Sequence, residues 1–247
     1  MTHEVRVFGL AGIPEVEPGD ELASLLAAAA ERAGGLEDGD VVVVAQKVVS
    51  KAEGRIVRLA DVVATARAQE LSGDRDPRHV QVILDESARV VRSRPPLVIS
   101  ETSHGFVCAS AGVDASNAKG EDTLILLPLD PDASAAALRA SLRERTGRDL
   151  GVIVSDSFGR AWRQGTTEVA LGVAGIAPLV DLNGRLDAAG YELHATLIAR
   201  ADELASAAEL VMGKLERVPA AVVRGVDAAG EGSGRDLVMP PERDLFR

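Results

Sequence analysis

Cysteine is almost absent from this chain: Cys108 is the single one among 247 residues. One thiol excludes an internal disulfide and any Cys-rich metal knuckle, and it fits a reducing compartment. Aromatic residues make up 2% of the chain, with one tryptophan and one tyrosine. A core this short of rings has to be filled by Val, Leu, Ala and Ile, which suits aliphatic helices packed on sheets better than an aromatic-rich sandwich. Long apolar runs are missing as well: none approaches the ~18 residues of a membrane span. The opening "MTHEVRVFGLAGIP" lacks a basic segment followed by an apolar one. The expectation is a cytoplasmic protein with no membrane partner. Positive charge is the remaining shortage. With 27 Lys and Arg against 38 Asp and Glu, the formal net charge is -11, which opposes binding to nucleic acid or another polyanion. A small anionic ligand is still accommodated where a few cations converge, above all beside a divalent metal.

What is present is an α/β rhythm. At 25.7 kDa the chain can bury a substantial core, as one large domain or two small lobes. "EVRVFGL" reads as a strand, "DELASLLAAAAERAG" as a helix with Asp20 at its N-cap, and "DVVVVAQKVVS" as another strand. The pattern predicts a helix over "DPRHVQVILDESARVVR", halted by "SRPP", then strands in "LVIS" and "GFVCASAGV". "LILLPLD" is a strand, and "PDASAAALRASLRERTG" a helix with Pro131 in its first turn and Gly147 past its end. "LGVIVSDS", the glycine-spaced "TTEVALGVAGIAPLVDLNG", the helical "RADELASAAELVMG" and a last strand in "PAAVVRGV" complete the chain. "LSGDRDP" and "AAGEGSGRD" are mobile-loop candidates too short to divide it.

The familiar nucleotide signatures fail. "GLAGIP" and "GVAGIA" offer G-x-x-G without the three-glycine turn of a dinucleotide site. In "MGKLE" Leu215 replaces the Ser or Thr of a P-loop, and Ala208 stands at its first glycine. Four scattered histidines, with no H-E-x-x-H and no G-x-S-x-G, make neither a zinc site nor a serine triad.

Three polar clusters sit at the ends of apolar runs, where α/β folds place their ligands. In "AQKVVSKAEG", Lys47 and Lys51 are four apart and share one face if the strand continues. They are either edge lysines that discourage sheet pairing or two cations aimed at phosphates. In "AGVDASN", Asp114, Ser116 and Asn117 follow Gly112; an Asx-turn explains them, and so does a site for a hard metal and a nucleotide. In "VSDSFGRAWRQG", Asp156 and Ser157 follow "GVIV", and Arg160 and Arg163 surround Trp162. As structure alone, Asp156 would cap the next segment and Trp162 would plug the core. As function, two acids on separate strand ends with cations nearby make a metal-phosphate site.

These residues belong to an ordered set: "GLAGIPEVEPGDEL", "VVVVAQKVVSKAEGR", "ISETSHGFVCASAGVDASN", "LLPLDPDASAAALR", "VIVSDSFGRAWRQG" and "ELVMGK" followed by "VPAAVVRG". The set resembles the coenzyme F420-0:L-glutamate ligases, the γ-glutamyl ligases of deazaflavin biosynthesis, over nearly the whole chain. The resemblance implies a γ-glutamyl-ligase-like α/β fold of mixed sheets, neither Rossmann nor P-loop, as one domain. That domain is either free-standing or the N-terminal part of a fusion with a nitroreductase-like domain. It further implies GTP-dependent amide formation: the terminal carboxylate of F420-0 is phosphorylated, and the amine of L-glutamate displaces the phosphate. A further γ-linked glutamate can follow. In that family two divalent ions, Mg or Mn, lie at the positions of Asp114, Asp156 and Ser157, with K+ as an additional ion. GTP lies against Ile13, Pro14, Glu15 and Val16, then Gln46, Lys51 and Asn117, under a loop that includes Met212, Gly213 and Lys214. In this loop Leu215, Glu216 and Arg217 depart from the family's glycine-rich, acidic pattern. Lys51 and Asp156 are the expected catalytic pair. Arg160 and Arg163 are then left to meet the phosphodiester and carboxylate of F420-0, and the family's homodimer could draw on "VALGVAG". A non-catalytic deazaflavin- or nucleotide-binding protein and an amide ligase for another acid are the alternatives.

Overall fold

The computed structural model describes residues 4–115 and 122–245. The chain begins with β1 (Arg6–Gly9), α1 (Leu22–Arg32), β2 (Val41–Ala45) and α2 (Gln46–Ala52). A second group holds β3 (Ile56–Arg58), α3 (Ala66–Ser72), α4 (Pro77–Asp85), β4 (Ser87–Arg94), β5 (Leu97–Thr102), β6 (Val107–Ala109) and β7 (Thr123–Ile125). The chain returns through α5 (Pro131–Thr146), β8 (Gly151–Arg160) and β9 (Arg163–Ala174). A short pair, β10 (Val180–Asp181) and β11 (Leu197–Ile198), precedes α6 (Arg200–Met212) and β12 (Ala220–Arg224).

The main sheet has the order β1-β12-β2-β8-β9. Its one parallel pair is β2 with β8, and the other pairings are antiparallel. Val41 to Val44 are buried, so β2 needs a layer on each face and takes the centre of the sheet. Alternation sends Val42 and Val44 towards α1 and α5, and Val41 and Val43 towards α6. Each buried valine contributes on the order of 2 kcal/mol of hydrophobic stabilisation. The mixed order is neither a doubly wound parallel Rossmann sheet nor a P-loop. The second group packs α3 and α4 on the sheet β4-β5-β6 and the pair β3-β7. Phe106, Leu127 and Leu171 join it to the main sheet.

Local signals set several boundaries as expected. Pro131 opens α5 behind the Asp130 cap, and Gly147 ends it in the left-handed conformation at φ 68°. Elsewhere tertiary pairing prevails. The strand expected through Ser50 stops at Ala45 and becomes α2, because β8 pairs with β2 only as far as Ala45. The helix expected as far as Arg92 ends at Asp85, and "SARVVRSR" is strand β4 paired with β5. Ala88, Arg89 and Arg92 are acceptable helix formers, so the partner strand decides. Asp20 is no cap: Glu21 holds that position, and the Asp20 carboxylate accepts from the Glu17 amide. "AAGEGSGRD" is tied down rather than loose, since Asp132 accepts from Ser233 Oγ at 2.6 Å and from the Gly234 amide at 2.8 Å. "VALGVAG" is core: Ala170, Leu171 and Val173 are buried within the chain and have little surface left for a partner.

Candidate functional site

The site forms where β2 leaves the sheet. β8 does not end after "GVIV" but runs on to Arg160 in a hairpin with β9. Ala45 and Ser155 are the last pair between β2 and β8. Asp156 is therefore no helix cap; it and Ser157 come where α2 has replaced the neighbouring strand. Being consecutive in a pleated strand, the two side chains leave opposite faces.

On one face, Lys47 Nζ lies 2.6 Å from Asp114 Oδ2. Asp114 is fixed by paired backbone bonds with Ile125, at 3.0 and 2.8 Å. Lys47 and Lys51 do share a face, but as one turn of α2 rather than as alternate strand positions. Burial pushes the Asp156 carboxyl up to about 7; the Ser157 amide and Lys47 pull it down, while Glu168 and Asp114 push it up. Cys108 also lies within reach of Asp156. Burial first, and that carboxylate second, raise its thiol to about 12, so it is no thiolate nucleophile near neutral pH.

On the other face, Ser157 is opposite Glu168 in the hairpin register. The Ser157 hydroxyl donates to Glu168 Oε1 and accepts from the Lys214 ammonium, which stands 3.7 Å from the same carboxylate. Sequence reasoning missed Glu168. Its signal was an acid inside the otherwise apolar strand "TTEVALGVA", and it is 4% exposed.

The expected nucleotide contacts divide. Lys51 is buried and lies 2.5 Å from Glu15 Oε1, which joins α2 to the loop after β1. Beside Glu15, Ile13 packs on the core, Pro14 is exposed and Val16 is buried. Gln46 is buried; its Oε1 accepts from Ser50 Oγ at 2.9 Å, while its Nε2 has no partner among the described residues. The Met212 side chain is in the core, which leaves Gly213 and Lys214 as the exposed start of the following loop. Ser116 and Asn117 lie outside the described residues. Arg160 and Arg163 pair across the hairpin tip, about 13 Å along the strand from Asp156 at ~3.3 Å per residue. Trp162 does not plug the core: it is 82% exposed and sits in the two-residue turn at φ 57°, where a bulky side chain is uncommon.

The donor set is carboxylate and hydroxyl oxygen, the chemistry of Mg or Mn rather than zinc. Among the described residues no three His, Cys, Asp or Glu converge to enclose a metal. Two carboxylates, Asp114 and Asp156, fit an ion that completes its shell with water and phosphate oxygens. Ser157 already serves Lys214, so a metal at that hydroxyl and the ammonium exclude one another.

A family model described as F420-0:gamma-glutamyl ligase matches residues 11–225. The chain belongs to this family of ligases. It is 43% identical over 251 residues to the coenzyme F420:L-glutamate ligase of Methanothermobacter thermautotrophicus, covering 98% of this chain and 99% of that one. It is 45% identical to the enzyme of the same name in Methanopyrus kandleri, with 94% of each chain covered. The Methanocaldococcus jannaschii enzyme is 45% identical over 86% of each chain. No helix among the described residues is long and apolar enough to cross a membrane.

Proposed function

We propose that this protein is a GTP-dependent ligase that joins L-glutamate to the terminal carboxylate of F420-0 and then adds a further γ-linked glutamate. An acyl phosphate forms first, and GDP and phosphate are released. The observation that carries this reading is the Asp114–Lys47–Asp156 cluster in a chain whose full-length relatives are named for this ligation. A bound Mg or Mn ion would neutralise the charge that spreads over the transferred phosphoryl group. Asp114 and Asp156 hold it, and a second ion at Ser157 requires Lys214 to turn from the hydroxyl towards the phosphates. Lys47 and Lys51 are point charges for those phosphates, and the Gln46 amide, unpartnered among the described residues, is a donor for a nucleotide acceptor. Neither a serine nor Cys108 has to form a covalent intermediate. At the hairpin tip Arg160 and Arg163 meet the phosphodiester of F420-0. An indole exposed at a turn of positive φ is costly enough to imply a use, and Trp162 gives the deazaflavin ring a surface to stack on.

Incubation with F420-0, glutamate, GTP and Mn, followed by mass analysis, tests this directly. Stepwise glutamyl products that vanish with excess EDTA are expected. Binding of F420-0 and GTP without product would identify a non-catalytic binding protein, and turnover with another acid alone would identify a different amide ligase. We also propose a cytoplasmic homodimer, which light scattering at micromolar concentration measures.

Lys51→Ala is expected to raise the KM for GTP roughly tenfold or more, the scale of one charge-assisted contact of about 1.5–3 kcal/mol. Steady-state kinetics with each substrate varied in turn would check it. A defect confined to the KM for glutamate would remove Lys51 from the nucleotide site.

A further inference from the structure

We propose that Glu168 is a positioning residue for Lys214: it holds the ammonium on Ser157 and so docks residues 213–217 against the β8–β9 hairpin. Glu168 is an acid 4% exposed inside a strand, and a buried carboxylate requires hydrogen bonds and a countercharge. Ser157 supplies the hydrogen bond, and Lys214 supplies the charge. The other ionisable groups that act on this neighbourhood are mostly acids: Asp156, on the opposite face of β8, and Glu209, on α6, each feel the Glu168 charge, and Glu216 adds to it at Glu209. Losing Lys214 would leave these carboxylates together with one cation fewer.

The segment itself has little else to hold it. Residues 213–217 are exposed throughout. The chain leaves α6 at Gly213 with φ 61° and ψ -178° and passes Arg217 at φ 56°, both in regions that ordinary side chains disfavour. Its next bond is internal, from the Leu215 amide to the Glu216 carboxylate. Apolar anchoring resumes at Val218, which packs so closely on Gly9 that a Cβ there would come within 2.7 Å of it. Among the described residues, the side-chain tie between this segment and the hairpin is Lys214. Its side chain is 56% exposed, so the tie can be released to an anionic ligand without unfolding anything. That the docked segment covers the nucleotide rests on the proposed function; the docking itself does not.

Hydrogen exchange of the 213–218 amides in the ligand-free protein tests the docking. In Glu168→Gln and Lys214→Met exchange should quicken about tenfold, the equivalent of one charge-assisted hydrogen bond, while Lys214→Arg should restore most of the protection. Equal melting temperatures and unchanged exchange in β2 and β8 would show that the fold is intact. Because Lys214 is at the surface, the Lys214 pair tests the docking itself even if Glu168→Gln folds poorly. Wild-type exchange in Lys214→Met would overturn the proposal, and so would faster exchange there with none in a folded Glu168→Gln. In the ligase assay Glu168→Gln should raise the KM for GTP more than it lowers kcat. Faster exchange with an unaltered KM would keep the docking and defeat the nucleotide-cover reading, and a wild-type protein without ligase activity would defeat the function alone.

Discussion

Asp156→Asn is expected to lower kcat by roughly a thousandfold, about 4 kcal/mol of transition-state stabilisation, while making the metal-free protein more stable above neutral pH. The two effects have one cause. Burial raises the Asp156 carboxyl to about 7, against an ordinary value of 3.8. As pH rises, the unfolded chain gives up this proton first, so ionisation favours unfolding. Stability is full below about pH 4 and is lost progressively as pH rises through 7. Asparagine has no such loss. Because Asp156 retains some accessible surface, the gain at pH 8 should be about 2 kcal/mol rather than the whole shift. That is roughly 4–8 °C in Tm for a chain of this size. Thermal melts of both proteins in EDTA at pH 4.5 and pH 8 read the difference, and Mn should narrow it by holding the ionised wild-type carboxylate. A folded variant with wild-type kcat would defeat the metal role, and equal melts at pH 8 would defeat the electrostatic account. Arg163→Ala provides the contrast. At the hairpin tip it should raise the KM for F420-0 with kcat nearly unchanged, as for a contact made equally in ground and transition states; an unaltered KM would remove Arg163 from substrate binding.

Gly172→Ala should be among the most damaging single methyl groups in the described residues. A Cβ on Gly172 would come within 2.1 Å of the Pro131 carbonyl and 2.6 Å of the Asp132 amide, and neither backbone can swing aside like a flexible side chain. Here the first turn of α5 rests directly on β9, and Asp132 Oδ1 accepts from the Val173 amide at 2.8 Å. The overlap should cost roughly 3–5 kcal/mol, on the order of 10 °C or more in Tm. Gly147→Ala is the control. A Cβ there meets nothing within 4 Å, and the cost is the left-handed φ of 68°, about 1 kcal/mol. Thermal denaturation of both variants checks the order, and a Gly172→Ala protein as stable as Gly147→Ala would show that α5 can lift from the sheet at little expense.

Much of this protein was legible in its sequence because the signals were local. Val41 to Val44 announce a central strand by composition, Pro131 and Gly147 bracket α5 by their backbone preferences, and the ordered motifs around Asp114 and Asp156 carry the family. Failure came where a distant partner decides. α2 replaces a strand where the pairing of β2 with its neighbours β8 and β12 ends, at Ala45 and Val44, and "SARVVRSR" is a strand because β5 lies beside it. Trp162 looked like a core residue by type, yet it takes the hairpin turn. Glu168 was invisible for the same reason. Its strand position can be read from the pattern, but its meaning lies in the register that sets it opposite Ser157 and in the loop that brings Lys214 from 46 positions along the chain. The sequence alone determined the layers, the bounds of α5 at Pro131 and Gly147, and the carboxylates of Asp114 and Asp156, since each follows from neighbours a few residues away. Tertiary structure alone decided which carboxylate meets which lysine and on which face of the hairpin, because charges act through space and the pleat separates even adjacent side chains.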